Sequence, residues 1–386
     1  MIEDRIPTAL SRIRFSRGRA WLWFSAILLA GAPVTPAAPV GQVVGWGDMP
    51  AVTDGSRRFV AVAAGEQHCL ALRSNGTVVA WGSDLFQQAT VPPLATSNVV
   101  AIAAGNRHSL ALRTNGLVVG WGADSAGNGQ ATPPASATNV VAIAAGTYFS
   151  LALRSNGTVV AWGDNSFQQR MVPASVTNAV AISAGDIHAL ALRRDGSYVG
   201  WGEDEDLQIT GGNGLSNIMA IAAGGNHSLA LLSNGTVVAW GLNSLGQTDV
   251  PPGLTNVVAI AGGGSHSLAL RNDGVVIAWG ADGIGPANVP TDLGRVVAMA
   301  GGVNQSMALV TNFTIASFEL GGSGPVIEFR TFLDQPFTVQ YTATLGTGNW
   351  TNLPGGSLVG DGGFISVTDT NGLAGRRFYR VREVSP

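Results

Sequence analysis

Five histidines, His68, His108, His188, His227 and His266, are all the imidazoles this chain has, and each occupies the same place in a repeating phrase. Imidazole is a common metal ligand and the usual general base near neutral pH. A metal centre needs several ligands within about 2 Å of one ion, whereas equivalent points of successive repeats are spread apart. Phe149 and Gln305 fill the same slot in two further repeats, so the slot works without an imidazole. The expectation is a set of structural histidines bonded to neighbouring groups, with no metal.

The run Glu203-Asp204-Glu205-Asp206 concentrates carboxylates but lacks the alternating oxygen ligands and turn glycine of a calcium loop. It reads as a solvated loop open to a basic partner. Cys69 stands where sister repeats have Ser109, Ser150, Ser228 and Ser267, the place of a small buried side chain. As the single cysteine it excludes an internal disulfide framework. No nucleophile elbow, phosphate-cradling loop or paired-carboxylate motif stands out. The chain therefore reads as a non-enzyme with no catalytic residue and no cofactor.

The elements that carry these residues announce themselves through Val-Val-Ala-Trp-Gly and its variants. Trp46, Trp81, Trp121, Trp162, Trp201, Trp240 and Trp279 are each followed by glycine, at spacings of 35, 40, 41, 39, 39 and 39 residues. A fixed period of this length marks a repeat array, in which each unit buries its apolar face against its neighbours. Within Val99–Pro134, Val99 to Gly105, His108 to Arg113 and Leu117 to Trp121 alternate as strands. Asn115-Gly116 between two of them predicts a type I′ hairpin turn, and a fourth segment near Gln130 to Pro134 predicts an outer edge strand. Each unit is thus expected to be a four-stranded meander.

Seven such sheets set radially make an all-β, seven-bladed β-propeller. Gly41 to Gly47 is a third strand with none before it, and Val296 to Leu309 supplies two strands with no Trp-Gly strand after them. The two fragments complete one blade and predict closure of N- and C-terminal strands.

The phrase Ala-Gly-x-x-His-Ser-Leu-Ala-Leu-x-x-Asn-Gly-x-Val-x-x-Trp-Gly, plainest at Ala104–Gly122 and Ala223–Gly241, resembles the repeat of the regulator of chromosome condensation family, a seven-bladed propeller. The resemblance covers about residues 41–311. The segments Gly246 to Pro251 and Gln87 to Pro92 also resemble a secreted bacterial member, the propeller-type β-lactamase inhibitor protein. Both likenesses imply protein binding rather than catalysis. The eukaryotic regulator acts as a nucleotide exchange factor on a nuclear GTPase, which an exported chain does not meet.

Arg5, Arg12, Arg14, Arg17 and Arg19, the apolar run Ala20–Ala32 and small residues up to Pro39 follow the order of a secretory signal peptide. We assign it to residues 1–38. The apolar run is short for a membrane span, so a secreted, cell-surface or periplasmic monomer of bacterial type without a stable membrane span is expected. All 21 basic residues are arginine and the formal charge is −3. A mildly acidic chain without a basic stripe argues against nucleic acid. Residues 313–386 leave the period and carry short strand patterns between Gly-rich turns, as expected for a small β-sandwich.

In a propeller the Asn-Gly turns lie on one side and the remaining loops on the other. The latter vary most, and variable loops on a rigid scaffold are where binding resides. Phe86, Tyr148, Phe149, Asp164, Phe167, Asp204 and Asp206 are the candidate contacts to an unknown protein or cell-surface ligand. The alternatives are a propeller enzyme acting on extracellular polysaccharide through its central channel, and a passive adhesion or structural spacer.

Overall fold

The computed structural model describes residues 41–48, 59–124, 128–281, 285–291, 293–312, 315–321, 324–330, 336–342, 351–359, 364–369 and 378–383. The signal peptide expected over residues 1–38 lies outside them. Among the described residues no helix is long and apolar enough to cross a membrane.

Seven three-stranded antiparallel sheets form the repeat array. Phe59–Ala64, His68–Arg73 and Val78–Gly82 make the first blade, and five more follow in the same order. The seventh is assembled from both ends of the array: Arg295–Gly301 pairs with Gln305–Asn312, which pairs with Gln42–Gly47 from Gln42 opposite Val310 to Gly47 opposite Gln305. The ring is closed by strand pairing between its two ends, and the outer edge of each blade is a short third strand of five or six residues.

The second strands are the most buried because they lie between two others. His-Ser-Leu-Ala-Leu places leucine on one face and alanine on the other, and both faces are covered by adjacent blades. Leu70, Leu110, Leu151, Leu190, Leu229 and Leu268 are all fully buried. One core cluster joins Leu110 with Ile143 and Trp162 of the next blade; another joins Leu229 with Ile260 and Trp279. The repeat therefore buries its apolar surface between neighbours, as the fixed period requires.

Two local expectations are corrected. The fourth segment of each unit is not a strand: after the third strand the chain curls through turns and, at Pro93–Ala95, a short 3-10 helix. Pro92-Pro93, Pro133-Pro134 and Pro251-Pro252 remove ladder donors where an edge strand needs them. The Asn-Gly turns are not type I′ either. Gly76 has φ +78° while Asn75 is outside the left-handed region, and the Gly76 amide donates to the Arg73 carbonyl at 2.9 Å. This is a type I turn closed by a glycine bulge. Asn75 Oδ1 accepts from the Thr77 amide at 3.1 Å and its hydroxyl at 2.8 Å. Asn-Gly-Thr is thereby explained as turn chemistry.

Beyond the ring, Ile315–Gly321, Gly324–Arg330 and Phe364–Thr368 form one three-stranded sheet, and Thr351–Val359, Pro336–Thr342 and Phe378–Glu383 form another. Ile327 and Val367 of the first cluster with Val339 and Leu353 of the second.

Candidate functional site

The five histidines are scaffold. His68 Nε2 lies 2.9 Å from Ser109 Oγ of the next blade. Ser109 Oγ donates to the Gln88 carbonyl at 2.8 Å, and the same carbonyl accepts from Trp121 Nε1 at 2.9 Å. Because the hydroxyl proton goes to Gln88, His68 must donate from Nε2, which leaves Nδ1 unprotonated. The pattern recurs at His108–Ser150, His188–Ser228, His227–Ser267 and His266–Ser306. Burial pushes these imidazoles down to about 3 for His108 and His188 and about 4 for His68, His227 and His266. They are neutral at physiological pH and contribute no ligand set: among the described residues no group of three or more potential metal ligands forms.

The exceptions follow the same logic. Phe149 replaces histidine where Ala189 of the next blade replaces serine, so an apolar ring meets a side chain with no hydroxyl to satisfy. Phe149 is fully buried; it is packing, and its place among the partner contacts is corrected. Gln305 sends its amide to the Gly65 carbonyl at 3.1 Å and hydrogen-bonds the Cys69 thiol, which burial pushes up to about 12. In the closing blade Trp46 Nε1 and Ser306 Oγ both donate to the Pro286 carbonyl at 2.8 Å, reproducing the arrangement across the junction.

The loops after Trp81, Trp162, Trp201 and Trp240 are pinned from within for a reason the sequence reading missed. Gln88, Gln169, Gln208 and Gln247, each seven residues beyond a blade tryptophan, are buried, and their side-chain oxygens accept the amide two residues earlier at 2.8–3.0 Å. The residue between sits at positive φ, as at Gln87, Gln168 and Leu207. The carboxylates are largely used inside the same loops. Asp164 accepts from Ser166 and Gln169, Asp204 from the Ile209 and Thr210 amides, and Glu203 from the Glu205 amide and Gln208. Asp206 accepts from Asn226 Nδ2 at 3.3 Å. The acidic run is therefore a set of loop staples as well as a source of surface charge.

These loops also leave apolar side chains in solvent. Phe86 is 40% exposed, Phe167 47%, Leu245 55%, Leu207 58% and Leu85 85%. Of the aromatic candidates, Phe86 and Phe167 are thus surface and Tyr148 is half-buried. Leu85, Leu207 and Leu245 escaped the sequence reading because no aromatic flagged them. Arg107 of the next blade lies 4.8 Å over the Phe86 ring and 3.8 Å from Glu66.

The axial channel is lined by small residues of the seven first strands, among them Ala63, Ala103, Ala184, Ala222 and Ala261. Its cavity volume is about 170 Å³, below the roughly 300–1,000 Å³ of ordinary ligand pockets. At the loop end its mouth carries Glu66, Asn106, Thr147 and Asp186. Asp186 accepts from Thr147 Oγ1 at 2.9 Å, and burial, helped by Glu66, raises its carboxyl above the usual range.

Charge separates the two faces. Among the described residues the loop side holds Asp48, Glu66, Asp84, Asp124, Asp164, Asp186, Asp249 and the run Glu203–Asp206, against Arg107 and Arg170. Among the described residues of the ring, the turn side holds the remaining arginines, with Asp195 and Asp273 as its acids.

The family model described as the regulator of chromosome condensation (RCC1) repeat matches residues 59–88, 99–130, 140–169, 219–247 and 257–283. The fold is similar to Prp20p from Saccharomyces cerevisiae, which has binding properties to Gsp1p and histones: TM-score 0.61, 19% identity, 71% of this chain and 92% of that one. Human WBSCR16 is similar with TM-score 0.59, 21% identity and coverage of 69% and 90%. The CRINKLY WD40 ectodomain of the Arabidopsis thaliana receptor kinase ACR4 gives TM-score 0.53, 22% identity and coverage of 66% and 94%. A search of curated proteins finds no match.

Proposed function

We propose that this chain, which belongs with the proteins built of regulator of chromosome condensation repeats, is an exported, non-enzymatic binding module that holds a protein or cell-surface ligand on its loop face. The observation that carries the reading is the set of exposed apolar side chains, Leu85, Phe86, Phe167, Leu207 and Leu245, held on loops whose backbone is fixed from within. Apolar side chains held in solvent on one face of a rigid scaffold offer anchors to a partner, and loops that are already ordered lose little entropy on binding. The binding of Gsp1p and histones by Prp20p, similar in fold, supports a propeller working through partners. The narrow apolar channel favours the loop rim over channel chemistry.

Export is read from the basic and then apolar order of residues 1–38, and the C-terminal sheets are read as a small sandwich-like attachment module. The test is recovery of partners from the native extracellular milieu by the parent and by a Phe86→Ala/Phe167→Ala/Leu245→Ala variant. Loss of recovery at unchanged melting temperature is expected. Equal recovery by both would refute a loop-face binding site.

A further inference from the structure

We propose that the turn face docks on the phosphate headgroups of an anionic lipid bilayer, holding the acidic loop face outward. Three independent observations converge on that face.

The first is its charge. The second strands of five blades end in Arg73, Arg113, Arg154, Arg193 and Arg271, directly before the hairpin turn. Arg194 and Arg295 lie beside them and are exposed. Asp195 and Asp273 offset part of this, the latter through an ion pair with Arg271 at 2.6 Å. The balance still favours the cations, in a chain whose formal charge is −3. Guanidinium is suited to this work because its planar fork matches phosphate oxygens.

The second is shape. The six hairpin turns are built alike, and five of them are seated alike. The glycine amide bonds to the arginine-position carbonyl at Gly76, Gly116, Gly157, Gly196, Gly235 and Gly274, and the glycine carbonyl accepts from the next blade's first strand at Val99, Ala179, Ile218, Val257 and Val296. Similar turns at the same position of each blade put the arginine positions in one annulus around the ring. Cations spread around a ring fit an extended anionic plane better than a small ligand.

The third is where the chain leaves the ring. The strand Gln42–Gly47 starts, and Gln305–Asn312 ends, at the turn side, since Gln42 stands opposite Val310 while Gly47 and Gln305 meet at the loop side. The residues before Gln42 carry five arginines and then the apolar run Ala20–Ala32. A hold on a membrane by that run would tether the ring from its turn side. Juxtamembrane arginines add to such attraction over distances of about a Debye length.

The experiment is cosedimentation of the full chain with phosphatidylglycerol-containing and pure phosphatidylcholine vesicles, for the parent and an Arg194→Gln/Arg295→Gln variant. Both residues are exposed, so an unchanged melting curve is expected to accompany a drop in affinity on the order of tenfold. Phe86→Ala/Phe167→Ala is expected to bind vesicles as the parent does. Orientation is read from single labels at Ser74→Cys on a turn and Glu205→Cys on a loop, with a headgroup-borne quencher; native Cys69 is buried and stays unlabelled. Quenching of the turn label alone supports the proposal. Equal binding to neutral vesicles, equal binding by the arginine variant or quenching of the loop label overturns it. So does capture by a soluble acidic polysaccharide without vesicle binding.

Discussion

His68 donates from Nε2 to Ser109 across a blade boundary, and the serine passes its own proton to the Gln88 carbonyl. Each imidazole thus belongs to two blades at once. Removing one partner would leave a buried polar group unsatisfied, at about 1–3 kcal/mol.

The Phe149–Ala189 boundary tests that coupling. Phe149→His alone should destabilise, since Ala189 offers no acceptor for Nε2–H. Ala189→Ser alone should be mild, because its hydroxyl has the Gln169 carbonyl to donate to, already bonded by Trp201 at 2.9 Å. Together they rebuild the pair, and a double-mutant cycle by urea unfolding should show a favourable coupling of about 1 kcal/mol. Strict additivity would contradict the pairwise account.

Acid should unfold the ring through these histidines. Their folded values lie at about 3 to 4, below the 6.5 of an unfolded histidine. Above 6.5 both states are neutral and the stabilisation is whole. As pH falls from 6.5 towards 4 only the unfolded chain takes protons, so stability drops, by up to about 1.4 kcal/mol per histidine per pH unit. Unfolding free energies measured from pH 8 down to 4 should fall steeply over that window, and replacing His108 with Gln should make the slope shallower. A flat profile between 6.5 and 4 would contradict the burial of neutral imidazoles.

Two glycines separate steric need from backbone need. A Cβ at Gly105 would lie 2.3 Å from His108 Cε1 and 2.4 Å from the Gly146 carbonyl oxygen. Gly105→Ala should cost several times the roughly 1 kcal/mol expected at an open positive-φ site. Gly214, at φ +91° with nothing near its would-be Cβ, is such a site. Comparable losses for the two alanine variants would show that the histidine ring yields more easily than its packing implies.

Closure is open to a direct measurement. Deleting residues 41–47 would strip Gln305–Asn312 of one of its two partner strands and remove the Trp46–Pro286 bond. A melting temperature lowered by several degrees is expected; one within error of the parent would contradict the closed ring.

Much of the ring was readable because a blade must meet its neighbour in the same way each time. The spacing of tryptophans revealed the blades, and the orphan strand at Trp46 revealed the junction. The fourth strand was misjudged because strand-like residues around Val91 share a segment with prolines, and there the missing donors prevail. Asn115-Gly116 showed that a turn exists but not its type, since Thr114 provides the extra residue that turns a two-residue loop into a three-residue one. Phe149 was given to the surface because an aromatic in a variable slot is ambiguous until Ala189 is placed against it. Gln88 and its counterparts had a readable signal, a glutamine seven residues beyond the tryptophan, but its meaning depends on the positive-φ residue before it, which turns the side chain back to the amide two residues earlier.

The handshake from His to Ser also constrains how such an array can be inherited. A blade copied or moved within the gene carries its serine for the preceding neighbour and its histidine for the following one, so His/Ser blades are interchangeable. The blade bearing Ala189 is compatible only with a predecessor that, like the one with Phe149, carries no histidine in the slot. That seam fixes the order of two blades, and it makes the boundary, rather than the forty-residue repeat, the unit in which this protein can vary.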